Sequence, residues 1–266
     1  MTSCASYMIC TSPRSGSTLL CRMLAATAVA GAPASLFFRP SLQDWMTRLG
    51  VDPGTAATEP ELVAVILRAA IRKGRSGTPI FGLRQQRLGF DFLLEKLATL
   101  YAAEASDRER IARAFGPTLF IHLARADKVA QAVSHLKAQQ TGLWHVASDG
   151  SELERTAPHR APDYDYGRIK DCVQTMTAYD RGWNRWFTQQ GIEPVRICYD
   201  QLSESPIGTL RHLLDRLGLD RRAADRVEPE LRKMADPVSR DWIARFRAEA
   251  ALDGPRETAC ACSASG

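Results

Sequence analysis

Hydroxyl, glycine and arginine side chains are concentrated in a short segment near the amino terminus. Residues 11–18 read Thr-Ser-Pro-Arg-Ser-Gly-Ser-Thr, between the apolar run that starts at Tyr7 and a helical leucine pattern that starts at Leu19. A loop that joins a strand to a helix presents free backbone N–H groups, and the helix dipole adds partial positive charge there. The segment therefore predicts an anion-binding loop, which we call the anion loop (residues 11–18). Its candidate binding residues are Arg14, Ser15, Gly16, Ser17 and Thr18.

The anion loop does not have the sequence of an ATPase phosphate-binding loop. That pattern is G-x-x-x-x-G-K-[ST], in which a lysine directly follows the second glycine. Here Thr11 stands in place of the first glycine and Ser17 in place of the lysine, while the cation Arg14 precedes Gly16. A small-molecule kinase that uses Mg-ATP is therefore only the alternative interpretation.

A second cationic segment follows another apolar strand. The strand at 119–123 is followed by Arg125, and then by a helix that Asp127 caps and that carries Ser134. The carboxyl ends of parallel strands lie at one edge of a sheet, so we expect Arg125 and the anion loop to face one cleft. Two anion sites on one cleft predict a ligand with two separated phosphate groups.

Both segments resemble those of the Stf0 family of sulfotransferases. That family has Arg-Ser-Gly-Ser-Thr-Leu-Leu followed by Gly-x-Pro, and this chain has the first run from Arg14 and Gly-Ala-Pro from Gly31. The family pattern R-x-D-K-x-x-Q-A-x-S is met at every fixed position from Arg125 to Ser134. The resemblance implies that the loop binds the 5′-phosphosulfate of PAPS (3′-phosphoadenosine 5′-phosphosulfate), with Arg125 and Ser134 at its 3′-phosphate. By a further resemblance, Tyr199 would contact the adenine.

The resemblance implies metal-free transfer of a sulfuryl group from PAPS to a carbohydrate or glycolipid hydroxyl. Arg14 and the loop amides would stabilise negative charge on the leaving product PAP (3′-phosphoadenosine 5′-phosphate). The family places a glutamate base after Gly-x-Pro, but Ser35 occupies that position here, and a serine hydroxyl is not a base at neutral pH. Three alternatives follow: the base is Asp44, His145 or His159; the reaction proceeds without a strong base; or the chain is a catalytically silent PAP-binding protein.

Predicted strands and helices alternate along the chain, and these elements must position the candidate site residues. Apolar strands are predicted at 7–11, 80–83, 119–123 and 194–199, with amphipathic helices between and after them, one of them over 90–105. Residues 141–166 have no periodicity and are predicted to form a long loop. The alternation predicts an α/β fold: a single P-loop-like domain over residues 1–253, with a central parallel sheet flanked by helices. Residues 254–266 are predicted to form a disordered tail.

Composition narrows the class of protein without identifying a function. The 266 residues have a net charge of +5, which suits an anionic small ligand but does not indicate a nucleic-acid-binding protein. No apolar segment is long enough to span a bilayer, and no signal peptide is recognisable. Seven cysteines without metal-ligand spacing indicate reduced thiols in the cytoplasm. The family resemblance also suggests a homodimer.

Overall fold

The computed structural model describes residues 4–146, 150–229 and 236–253. The strands are β1 (Ser6–Thr11), β2 (Phe81–Gln86), β3 (Thr118–Ala124), β4 (Leu143–Val146), β5 (Glu152–Arg155) and β6 (Val195–Cys198). The helices are α1 (Ser17–Ala26), α2 (Leu42–Leu49), α3 (Glu59–Arg75), α4 (Phe90–Leu100), α5 (Asp107–Phe115), α6 (Lys128–Thr141), α7 (Tyr166–Gln189), α8 (Tyr199–Glu204), α9 (Pro206–Arg216) and α10 (Pro237–Asp253).

Four strands form a parallel sheet in the order β2-β1-β3-β6. The central strand β1 is buried along its whole length, because both of its edges pair with other strands and helices cover both faces. At its carboxyl end Thr11 pairs with Gln86 of β2 and with Leu123 of β3. The anion loop, Arg125 and Tyr199 therefore leave the sheet at the same edge, as the sequence predicted.

The alternation of side chains along β1 divides the interior into two cores. Met8 and Cys10 point into the core that α2, α3, α4, α5 and α7 cover. Tyr7 and Ile9 point into the core that α1, α8 and α9 cover. A third cluster joins α6, α7 and α10 through residues that include Ile169. Packing against the first two cores fixes the position and direction of β1. This packing therefore determines where the anion loop begins.

The predicted fold class and all four predicted strands of the parallel sheet are confirmed. The helix predicted over 90–105 is present but its predicted end is wrong, because α4 ends at Leu100; the separate helix α5, which begins at Asp107, was not predicted. Ser106 starts α5 with a capping box in which Glu109 accepts from the Ser106 N–H. The amphipathic periodicity of this part of the sequence does not show where α4 ends and α5 begins.

The long loop predicted over 141–166 is also partly wrong, since it contains the antiparallel hairpin of β4 and β5. These strands are only four residues each and their register is irregular, so the sequence has no clean alternation there. The short helix α2, which sequence reasoning missed, buries Trp45 and Met46 in the first core. The prediction of a disordered tail concerns residues 254–266, which lie outside the described residues.

Across the described ranges, none of the helices combines the length and the apolar character that crossing a bilayer requires.

His122 places a titratable group inside the sheet. The residue is only 4% exposed, its Nδ1 lies 3.3 Å from Nη1 of Arg196, and its ring packs edge-on against Phe187. Burial lowers the pKa of His122 to about 4. The neighbouring Arg196 and Lys128 act in the same direction, and Asp180 opposes them.

We predict that His122 makes the fold sensitive to acid. The pKa is lower in the folded chain than the ordinary value near 6.5, so the unfolded chain binds a proton that the folded chain does not. Stability is therefore fully present above about pH 6.5 and is lost as the pH falls toward 4, by about 2 kcal/mol at pH 5 for this one group. Unfolding free energies at pH 7 and pH 5 should show a smaller loss for His122→Gln than for the wild type. The exposed His212→Gln is the control and should keep the wild-type loss.

Candidate active site

The anion loop turns from β1 into α1 through left-handed backbone. Arg14 has φ 61° and Gly16 has φ 87°, and α1 begins at Ser17 directly after them. Gly16 is the N-cap residue and has no side chain to accept from the first helical N–H groups. These N–H groups have no partner within the helix, so they remain available to an anion.

Buried hydroxyls stabilise the inner side of the loop. Thr11 Oγ1 donates to the Leu123 carbonyl at 2.8 Å and lies 2.5 Å from Ser15 Oγ. Since Thr11 uses its proton on the carbonyl, Ser15 donates to Thr11. Ser15 is fully buried, so its hydroxyl serves the loop and only its backbone N–H is left for a ligand.

Side chains from α6 and α7 stabilise the outer side of the loop. Gln131 Nε2 donates to the Pro13 carbonyl at 2.6 Å and to Ser12 Oγ at 3.0 Å. Trp183 Nε1 donates to the Thr11 carbonyl at 2.9 Å. Ser12 Oγ also lies 3.4 Å from Oδ1 of Asp180. These bonds fix backbone carbonyls, so the loop is shaped before any ligand arrives.

Lys128 forms a partly buried ion pair with Asp180 and also donates to the Arg125 carbonyl. The pair links the second cationic segment on α6 to α7. Asp127 caps α6, as expected, by accepting from the Ala130 N–H at 2.9 Å.

Arg14 reaches from the anion loop to the other predicted anion site. Its Nε donates to Ser134 Oγ at 2.9 Å, and its Nη1 donates to the Trp144 carbonyl at 2.5 Å. Burial lowers the pKa of Arg14 to about 10, and the positive charge of Arg125 acts in the same direction. Arg14 therefore stays protonated at neutral pH.

Tyr199 lies between the loop and Arg125. The Arg125 guanidinium carbon is 4.6 Å from the centre of the Tyr199 ring, within cation–π distance. On the loop side, a Cβ added to Gly16 would come within 2.6 Å of Tyr199 Cδ2. The structure therefore brings together Arg14, Gly16, Arg125, Ser134 and Tyr199, which the sequence had predicted from three separate segments.

A polar chain extends from the loop toward Ser35. Arg84 on β2 donates through Nε to Ser35 Oγ at 2.8 Å and through Nη1 to Thr18 Oγ1 at 2.9 Å. Thr18 Oγ1 lies 3.0 Å from Nε2 of His145 on β4. Ser35 is held beside β2 because the neighbouring Ala34 forms a parallel bridge with Leu83.

The three candidate bases differ in their surroundings. His145 contacts the anion loop through Thr18. Asp44 pairs with Arg48 at 2.6 Å in the first turn of α2, and His159 is exposed. Within the described residues, no hydrogen bond or ion pair joins either of these two to the loop.

Sequence reasoning missed three residues of the site: Arg84, Gln131 and Asp180. Gln131 lies in the segment from Arg125 to Ser134, whose resemblance to the family was recognised, but spacing alone gave it no role. Arg84 directly follows the strand predicted at 80–83, and nothing in the spacing singled it out. Asp180 lies on α7, where the helical pattern signals only packing. Over the ranges that the structure describes, no three His, Cys, Asp or Glu side chains are grouped so that they could hold a metal ion.

We predict that Gly16→Ala destabilises the protein more than an alanine at another left-handed glycine. Both backbone strain and the contact with Tyr199 oppose a Cβ at residue 16. Gly218 is the matched control, because its φ is +70° and an added Cβ would meet nothing within 4 Å. Gly218→Ala should cost about 1–2 kcal/mol from backbone strain alone, and Gly16→Ala should cost more. Urea unfolding of both variants measures the difference, and equal losses would contradict the prediction.

Known proteins are similar to this chain over nearly its whole length. The profile of the Stf0 sulphotransferase family matches residues 6–249. The trehalose 2-sulfotransferase of Mycolicibacterium smegmatis is 30% identical, over 93% of this chain and 96% of that protein. The trehalose 2-sulfotransferase of Mycobacterium tuberculosis is 29% identical, over 92% of this chain and 95% of that protein. A sulfotransferase domain from the Synechococcus PCC 7002 olefin synthase aligns with a TM-score of 0.45 at 17% identity, over 91% of this chain and 86% of that one.

The family match extends over residues 6–249, a range that includes the anion loop, the Arg125 segment and Tyr199. It decides against the kinase interpretation and confirms the expectation of a sulfotransferase. The chain belongs to the Stf0 sulphotransferase family.

Proposed function

We propose that the protein transfers a sulfuryl group from PAPS to a carbohydrate hydroxyl, with trehalose as the first acceptor to test. The observation that carries this proposal is the convergence of Arg14, Arg125, Ser134 and Tyr199 on the anion loop. The acceptor class comes from the two relatives, both named trehalose 2-sulfotransferases. A glycolipid that presents the same sugar hydroxyl is the other acceptor to compare.

The residues at the sheet edge fit a nucleotide with two anionic groups. The uncapped start of α1 offers backbone N–H groups at one position. At the other, the Nε of Arg125 is buried and has no hydrogen-bond partner within the described part of the chain. A buried cationic donor without a partner is costly, so a phosphate oxygen is the complementary ligand.

Each binding residue then has a distinct task. PAPS supplies an activated sulfuryl group when it is bound. Ser17 and the backbone N–H groups of Ser15, Gly16 and Thr18 would hold its 5′ anionic end. Arg125 and Ser134 would hold the 3′-phosphate, and Tyr199 would contact the adenine. Thr18, Ser134, Arg125 and Tyr199 already contact neighbouring residues of the site, so ligand binding needs little reorganisation of these side chains.

Arg14 connects the two anionic positions. Its guanidinium bonds to Ser134 and lies in the loop that faces the reacting group. A protonated, mostly desolvated guanidinium stabilises charge that develops on a leaving phosphate oxygen. Ser35 accepts from Arg84, which leaves its own proton free to donate to an acceptor hydroxyl oxygen. Ser35 is thus proposed to position the acceptor rather than to remove its proton.

We predict that PAP stabilises the wild-type protein and that Mg-ATP does not. At one hundred times its dissociation constant, a ligand that binds only the folded chain adds about 2.7 kcal/mol of stability. Arg125→Ala should lose this effect because it removes the buried donor. Thermal unfolding with and without each ligand measures it.

The matched control is Arg211→Ala, which removes an exposed arginine paired with Asp225 on the protein surface. This variant should keep the full response to PAP, because exposed ion pairs contribute little to stability. Stabilisation by Mg-ATP instead of PAP would contradict the proposed donor. Stabilisation by PAP with no transfer to any sugar would identify a catalytically silent PAP-binding protein.

We predict that Arg14→Lys lowers kcat for transfer to trehalose by about 10²–10³-fold, the range measured for the loss of one charge-stabilising donor. Lysine keeps the positive charge but cannot donate at once to Ser134 and to the Trp144 carbonyl. The response to PAP should therefore be weakened less than turnover is. Mass spectrometry of the sulfated sugar gives kcat, and an unchanged kcat would remove Arg14 from the reaction.

A further inference from the structure

Hydrogen bonds connect Ser35, Arg84, Thr18 and His145 in one polar chain. Arginine can only donate, so Thr18 Oγ1 accepts from Nη1 of Arg84 at 2.9 Å. Thr18 Oγ1 keeps one proton and one lone pair, so its bond to His145 Nε2, 3.0 Å away, can run in either direction. In the tautomer in which Thr18 donates, Nε2 carries the lone pair and the proton of the neutral ring is on Nδ1. His145 Nε2 therefore lies against the anion loop.

The charges around His145 keep its ring neutral in the free protein. Burial lowers the pKa of His145 to about 4, and nearby positive charges act in the same direction. Those charges come from the anion loop (Arg14), β2 (Arg84) and α1 (Arg22). At neutral pH the ring is thus unprotonated and able to accept a proton.

Glu154 on β5 gives the protonated ring a partner. It is the residue paired with His145 in the hairpin, and its Oε2 lies 3.4 Å from Nε2. A carboxylate beside an imidazole stabilises the imidazolium once it forms. The phosphate groups of a bound donor would add negative charge near the three arginines and so raise the pKa of His145.

We propose that His145 is the proton acceptor of the sulfuryl transfer and takes the role that a glutamate at residue 35 would have. The inference rests on the proposed function. The acceptor hydroxyl oxygen forms a new bond to sulfur while the bond between sulfur and the bridging phosphate oxygen breaks. The electron pair of the broken bond stays on the phosphate oxygen. The hydroxyl proton takes the place of the Thr18 proton at Nε2 of His145, and the resulting imidazolium donates to Glu154.

The test compares His145→Asn with the wild type on the sugar that the wild type sulfates. We expect kcat to fall by about 10²–10⁴-fold, the contribution of a general base, while the stabilisation by PAP stays intact. The wild-type kcat should fall as the pH decreases through the pKa of His145 in the complex, and the variant should lose this acidic limb. The control is His212→Asn, an exposed histidine on α9 that should keep both the rate and the profile. His145→Gln is the second variant if His145→Asn does not fold.

NMR titration of the imidazole nitrogens gives a readout that does not depend on turnover. The pKa of His145 should rise when PAP binds, and Nε2 should be the unprotonated nitrogen in the free protein. A kcat of His145→Asn close to that of the wild type would overturn the inference and leave the proposed function standing. Loss of the PAP response together with kcat would also overturn it, because His145 would then act in nucleotide binding. No transfer by the wild type to any sugar would instead contradict the proposed function.

Discussion

The left-handed turn at Arg14 and Gly16 is the constraint on which the rest of the site depends. A residue other than glycine in this conformation is strained, so it persists only where its surroundings fix it. Here Gln131 and Trp183 bind the carbonyls of Pro13 and Thr11, and β3 accepts from the Thr11 hydroxyl. The turn points the N–H groups at the start of α1 away from the sheet. Without it, α1 would need an ordinary side-chain cap and could not present an anion site.

The same turn places like charges close together. The positive charge of Arg125 and burial both lower the pKa of Arg14, and the Nε of Arg125 is removed from water. Such an arrangement destabilises a free protein, and an anion that binds between the two arginines relieves it. The large apolar cores on both sides of β1 stabilise the fold and so offset the destabilising proximity of Arg14 and Arg125 at the sheet edge.

The features that could be predicted correctly from the sequence are those that a short run of residues encodes. The strand–loop–helix order, the anion loop and the Arg125 segment each lie within a short run of residues, and the parallel sheet follows from their alternation. Arg84, Asp180 and the β4–β5 hairpin could not be predicted in the same way. Arg84 reaches Thr18 across 66 positions and Asp180 reaches Ser12 across 168, so their roles exist only after folding. The break between α4 and α5 depends on one capping box, which a periodicity argument does not detect.

The serine at residue 35 changes the electrostatics of the part of the site where the acceptor hydroxyl is proposed to lie. A carboxylate at residue 35 would lie beside Arg84, whose Nε is 2.8 Å from the present hydroxyl, and that ion pair would lower the pKa of the carboxyl and weaken it as a base. With a neutral serine, Arg84 instead orients both Ser35 and Thr18, and through Thr18 the ring of His145. Arg14, one of the three arginines that lower the basicity of this ring, is also a proposed ligand of the anionic donor. On that proposal the basicity of His145 depends on occupancy: the ring is a weak base in the free protein and a stronger one when phosphate groups neutralise the nearby positive charge.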